Sequence, residues 1–170
     1  MKKTLIALAL LSLAGTASAA EDILVQADVY RGSERIYMIS DVVDAGTTAD
    51  LHKTQSIKYM SAPSAPSDRE AGGTSEWKAE EKTLVVGFEA KVTPRLLENG
   101  KISINTDYKY TTLTEMKSEK VNGVLVDYPK THVLSGQSQQ IVKSGTHADF
   151  DNIDQDHRDT RVVITAIKMM

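Results

Sequence analysis

Between Val86 and Tyr108 the chain alternates between apolar and polar positions. Val86, Phe88, Ala90 and Val92 fall on one side of an extended segment, and Val85, Gly87, Glu89 and Lys91 on the other. Successive side chains of a strand point to opposite faces, so this spacing predicts a strand with one buried face. Pro94 has no amide hydrogen to give a ladder, which predicts a strand end or an edge position there. Glu98-Asn99-Gly100-Lys101 predicts a hairpin, because Asn-Gly tolerates the positive φ that a type I′ turn demands. Beyond it Ile102, Ile104, Thr106 and Tyr108 resume the alternation. Residues 94–100 are also compatible with one short helical turn closed by Gly100.

The same kind of pattern recurs on either side. Ile23–Tyr30 and Ile36–Val43 read as β-branched strands, and the Asp-Ala-Gly-Thr-Thr cluster after Val43 reads as a turn. Residues 49–60 alternate weakly, with Leu51, Ile57 and Tyr59 as the inward set. Asn122-Gly123 marks a second hairpin, and residues 131–145 and 160–170 supply the last strands. The segment 61–76, SAPSAPSDREAGGTSE, carries two Pro, two Gly and no large apolar residue. It has too little apolar surface to order itself and reads as a flexible loop. The expected fold is all-β: a sandwich or a partly open barrel of antiparallel hairpins.

The amino terminus changes the picture of where the chain works. Lys2 and Lys3 precede an apolar run from Thr4 to Ala14, and Ala17-Ser18-Ala19 fits a small-x-small cleavage site. Residues 1–19 therefore read as a signal peptide, and 20–170 as a single β domain of about 150 residues. The expected location is periplasmic or secreted, in the cell envelope of a bacterium. No later segment is apolar enough to cross a membrane as a helix. The formal charge is −3, and loss of two Lys with the signal takes it to −5. An acidic chain lacks the basic surface a nucleic acid requires. The chain contains no Cys, which excludes a disulfide framework and thiol catalysis.

Candidate chemistry is sparse. His147, Asp149, Asp151, Asp154 and His157 cluster as metal ligands do, but the spacing fails a calcium loop: no Gly stands at its sixth position and Thr160 takes the place of the final Glu. Two His ten residues apart do not make a closed zinc site. Ser75-Glu76-Trp77-Lys78 and Lys143-Ser144-Gly145 echo two motifs of penicillin-recognising serine enzymes, yet the middle motif is absent and the serine adjoins a Pro/Ser/Gly segment. The Leu-Ser-Gly-Gln-Ser run at 134–138 lacks the last Gly of a nucleophile elbow, and no phosphate-binding Gly-rich loop occurs. The expectation is a non-enzyme with no catalytic residue, no metal and no cofactor.

The stretch VGFEAKVTPRLLENGKISINTDYKY, residues 86–110, resembles the signature of the secretin domain, found in the channels of bacterial type II and type III secretion and type IV pilus systems. Gly87, Val92, Pro94, Gly100, Ile102 and Ile104 match its order. Residues 41–60 are similar to an earlier strand of that family, and 121–145 resemble the part ending in its Gly-Gly turn. Two departures stand out. Val142-Lys143-Ser144-Gly145 replaces the Gly-Gly turn, and the polar segment 61–76 stands where a secretin carries its membrane-crossing hairpin. The resemblance implies an assembly or interaction module of a secretion or pilus system. Its expected partner is an envelope protein or another copy of itself, met through strand edges. The alternative is an unrelated periplasmic β-module that binds a protein or a small ligand.

Overall fold

The computed structural model describes residues 21–62, 78–151 and 160–169. Residues 1–20, which include the expected signal peptide, most of the 61–76 stretch, and Asp154 and His157 lie outside them. Eight strands follow one another: β1 Asp22–Arg31, β2 Glu34–Asp44, β3 Ala49–Ser61, β4 Glu80–Leu96, β5 Lys101–Val121, β6 Val124–Lys143, β7 His147–Asp151 and β8 Thr160–Lys168. They form two antiparallel four-stranded sheets, β2-β1-β8-β7 and β3-β4-β5-β6, packed as a sandwich and not closed into a barrel. No helix occurs among the described residues.

Alternation decides what is buried. Ile23, Val25, Ala27 and Val29 of β1 and Val162, Ile164 and Ala166 of β8 turn inward from the first sheet. Leu51, Phe88, Ala90, Val92, Ile102, Ile104, Tyr108 and Tyr110 meet them from the second. Two edge-to-face aromatic pairs cross the gap between the sheets: Tyr37 with Tyr110 at 6.1 Å and Tyr108 with Phe150 at 5.8 Å between ring centroids. Tyr108 also lies across Gly136, where an added Cβ would sit 2.9 Å from its ring. Burial pushes the phenols of Tyr108 and Tyr110 up, the latter partly offset by the Arg31 guanidinium that donates to its hydroxyl at 3.3 Å.

The turns correct the sequence reading in one place and agree with it in another. Asn122 (φ 50°) and Gly123 (φ 83°) both take positive φ, as a type I′ hairpin requires. At Asn99-Gly100 only Gly100 does, at 73°. There the Gly100 amide donates to the Leu97 carbonyl and the Leu97 amide to the Lys101 carbonyl, both at 2.8 Å. This is the longer hairpin loop in which one left-handed Gly follows an ordinary turn. Asn99 uses its side chain instead, accepting from the Lys101 amide at 3.1 Å. The helical turn considered for 94–100 does not form, because β4 runs extended to Leu96.

Pro94 lies inside β4, opposite Ile104 of β5. It is tolerated because β3 ends its pairing at Ala49 opposite Val92, so β4 is an edge from there on. The Pro94 carbonyl is not wasted: the Gly46 amide donates to it at 2.6 Å.

The second sheet forks. Pairing between β4 and β5 runs from Leu96–Ile102 to Gly87–Thr111 and stops. Beyond that point β3 and β4 continue together to Ser61–Glu80, and β5 and β6 to Val121–Val124, as two separate ribbons. Gly87 sits at the fork with φ 123°, and a Cβ there would meet the Lys53 carbonyl oxygen at 2.2 Å. Only Gly admits so close a backbone approach. On the other side, Thr114 is the extra residue of a bulge in β5, and its hydroxyl donates to the Lys130 carbonyl at 2.9 Å.

Candidate interaction surface

A sandwich of open sheets leaves strand edges, and each edge offers unpaired backbone groups. Here the edges are β2 and β7 in the first sheet and β3 and β6 in the second. β7 has five residues, too few to template much. β2 carries Glu34, Arg35, Asp41 and Asp44, charges of the kind that discourage strand addition.

β6 is different. It is 20 residues long, and one side of it has no strand partner among the described residues. Pro129 and Lys130 blunt its first half, but from Thr131 to Val142 it has no Pro and no Asp, Glu, Lys or Arg. Val124, Leu125, Tyr128, Val133 and Ile141 are all exposed on it, Ile141 by 60% and Leu125 by 51%. Gln140 reaches the Asp149 carbonyl of β7 with its side-chain amide at 3.2 Å, so the two sheets touch at this flank without backbone pairing.

The outer face of the second sheet is a lattice of alternating charge. Register places Asp50, Lys91, Asp107 and Gln137 in one row across β3 to β6, and His52, Glu89, Lys109 and Ser135 in the next. Gln137 donates to Asp107 and Gln139 to Ser103, each at 3.1 Å, and the hydroxyls of Thr48 and Thr93 meet at 2.7 Å. Opposite charges facing across strands stabilise the pairing. Asp50, Glu89, Lys91, Asp107 and Lys109 line a shallow depression of about 380 Å³ on this face. It offers polar contact over a broad area, and its acids and bases interleave instead of converging on a point.

Of the residues considered as metal ligands, His147, Asp149 and Asp151 lie among the described residues, all on β7. His147 Nε2 stands 3.6 Å from Asp149 Oδ2, both solvent-exposed on β7, with Asp151 at the end of the same strand. No group of three or more His, Asp or Glu able to hold a metal occurs among the described residues. Lys143-Ser144-Gly145 makes the β6–β7 turn: Ser144 Oγ accepts from the Lys168 amide at 2.9 Å, and the Gly145 amide donates to the Ala166 carbonyl at 2.9 Å. This serine is tied to the backbone of β8. Ser75, Glu76 and Trp77 lie outside the described residues, and Lys78 stands just before β4. The β6 edge was not singled out in the sequence, although its signal, a long stretch without charge or Pro, is written there.

No helix among the described residues is long and apolar enough to cross a membrane, which says nothing of crossing by strands. No known family model matches the chain, and no curated protein matches it. Three solved structures of InvG, the secretin of the Salmonella SPI-1 type III secretion injectisome, are similar to it. The secretin structure aligns at 12% identity over 88% of this chain and 62% of its own, with a TM-score of 0.45. The basal body of InvG, PrgH and PrgK aligns at 12% identity over 88% and 44%, and the InvG secretin-domain β-barrel at 10% over 88% and 61%, each with a TM-score of 0.45. The chain thus spans less than two thirds of each of these proteins.

Proposed function

We propose that the chain is an exported, non-enzymatic envelope protein. It acts as an assembly or interaction module of a secretion or pilus system, and the β6 edge is its joining surface. The reading rests on that edge: 20 residues long, without a strand partner on one side among the described residues, and free of Asp, Glu, Lys, Arg and Pro over Thr131–Val142. An unblunted edge takes a strand from a partner through backbone hydrogen bonds, with exposed side chains such as Val133 and Ile141 setting the fit. The secretin-like order of Gly87, Val92, Pro94, Gly100, Ile102 and Ile104 supports the same reading. The signal-like residues 1–19 support export to the periplasm.

The shallow polar depression favours a second reading, a periplasmic β-module that binds a ligand or protein on the outer face of the second sheet. Capture of the tagged mature chain from the native envelope, followed by mass measurement of what comes with it, separates the two. Co-purification of envelope secretion or pilus components, lost when Val133 and Ile141 are replaced by Lys, supports edge assembly. Recovery of a partner that is lost on replacing Lys91 and Lys109, but kept in the edge variant, supports the second.

A further inference from the structure

The other edge of the forked sheet is not free in the same way. β3 and β4 leave β5 beyond Gly87, so nothing in the β4–β5 ladder holds the two distal ribbons side by side. They are joined at one described polar contact. The Met60 amide, near the end of β3, donates to Asp127 Oδ2 of β6 at 2.9 Å. The other oxygen of that carboxylate accepts from Ser118 Oγ of β5 at 2.6 Å. The Asp127 carboxylate therefore ties three strands, β3, β5 and β6, with one group. Next to it Val126 is fully buried, although it lies outside the main core. Ile57, Tyr59 and Met60 of β3 and Leu84 and Val86 of β4 are partly buried along the same ribbons. A carboxylate in this place does what a partner strand would do: it satisfies a backbone donor of β3.

We propose that Asp127 is an intramolecular latch. It holds the β3–β4 ribbon against the β5–β6 ribbon and covers the distal end of the β3 edge at Met60, and its release frees that end for a strand from a second copy of this chain. Gly87, where the β4–β5 ladder ends, and the Thr114 bulge, where the β5–β6 register shifts, are the positions at which the ribbons can swing. This rests on the edge-assembly reading above, to which it adds a closed and an open form.

The absence of Cys makes the test direct, because two introduced cysteines are the only ones in the chain. Ser56→Cys on β3 and Thr131→Cys on β6 are both exposed positions and take spin labels. The label separation is measured by pulsed electron resonance with Asp127 intact and in Asp127→Ala, and self-association is followed by sedimentation on the unlabelled pair. Asp127→Asn serves as the conservative variant, since its amide oxygen still accepts. The latch predicts a longer and broader separation in Asp127→Ala, a smaller change in Asp127→Asn, and self-association at a several-fold lower concentration in Asp127→Ala than in the wild type. Backbone amides of the β4–β5 ladder, such as Glu89, should keep their exchange protection, which shows that the sheet has not simply unfolded. An unchanged separation, with association retained by the wild type, overturns the latch alone. A longer separation with unchanged association overturns the link between release and assembly. Failure of every form to associate at any concentration removes self-assembly through the edges and with it the role given to release.

Discussion

Gly87 and Gly100 both take positive φ, and replacing each by Ala isolates what the fork demands of the chain. At Gly100 an added Cβ meets nothing within 4 Å, so the cost is that of a left-handed Ala alone, about 1–2 kcal/mol. At Gly87 φ is 123°, outside the ordinary left-handed well, and the Cβ would lie 2.2 Å from the Lys53 carbonyl oxygen and 2.8 Å from Thr54 Cα. The backbone conformation costs roughly 1–3 kcal/mol, and forcing two backbones apart adds roughly 1–3 kcal/mol more. Ala also lowers the entropy of the unfolded chain, but equally in both variants, so it cancels from the comparison. Gly87→Ala should thus be about 2–3 kcal/mol less stable than Gly100→Ala, a large part of a domain's total stability. Urea unfolding followed by circular dichroism reads this directly: with a slope of roughly 1–3 kcal/mol per molar, the midpoint should fall about 1–2 M below that of Gly100→Ala. A Gly87→Ala midpoint equal to or above that of Gly100→Ala would refute the close approach at the fork.

Phe88 is fully buried at the centre of the sandwich, and Phe88→Ala should cost about 3–5 kcal/mol in the same assay. Asp28 is buried, held by Gln26 at 2.6 Å and by half-exposed Arg35 at 3.3 Å, so Arg35→Ala should cost about 1–2 kcal/mol, more than a typical surface change. Burial raises the Tyr108 and Tyr110 phenols above their unfolded value, so their contribution is complete below pH 10 and is lost as pH rises through the folded values; alkaline melts of Tyr108→Phe should show a weaker loss than the wild type. The Ser118 hydroxyl and then the Met60 amide hold the Asp127 carboxyl below its ordinary value. Its contribution is present above the unfolded value and lost as pH falls through the folded one, so Met60 amide protection should persist through pH 4 and fail only at more acid pH.

The sequence disclosed whatever depends on alternation next to a buried face. Val86–Val92 and Ile102–Tyr108 read correctly because one side of each packs against the other sheet, and Asn122-Gly123 because its turn chemistry is local. The length of β5 and β6 was hidden: residues 112–121 form a ribbon with both faces largely exposed, so no apolar period marks them as strand. Ile57 and Tyr59, an inward pair in the sequence, are only partly buried, because past the fork they meet the narrow β5–β6 ribbon and not the other sheet. The pairing of β1 with β8, from Ile23–Lys168 to Arg31–Thr160, joins the two ends of the described chain, and no local pattern announces such a contact. Pro94 was legible as an edge residue, but not that β4 becomes an edge only where β3 runs out. The β6 edge needs the topology as well as the sequence, since a stretch without charge lies at an edge only where no described strand pairs with it.

In the proposed assembly the β6 edge, without a strand partner on one side among the described residues, joins this chain to other copies of itself. The decisive measurement is sedimentation of the purified protein from residue 20 onward over a wide concentration range, beside a Val133→Lys/Ile141→Lys variant. Both side chains are exposed, at 47% and 60%, so the variant should fold with an unchanged circular dichroism spectrum. The wild type should move to higher mass as concentration rises, while the variant stays at the mass of one chain. A wild type that remains a single chain throughout, or a variant that associates equally well, would contradict it.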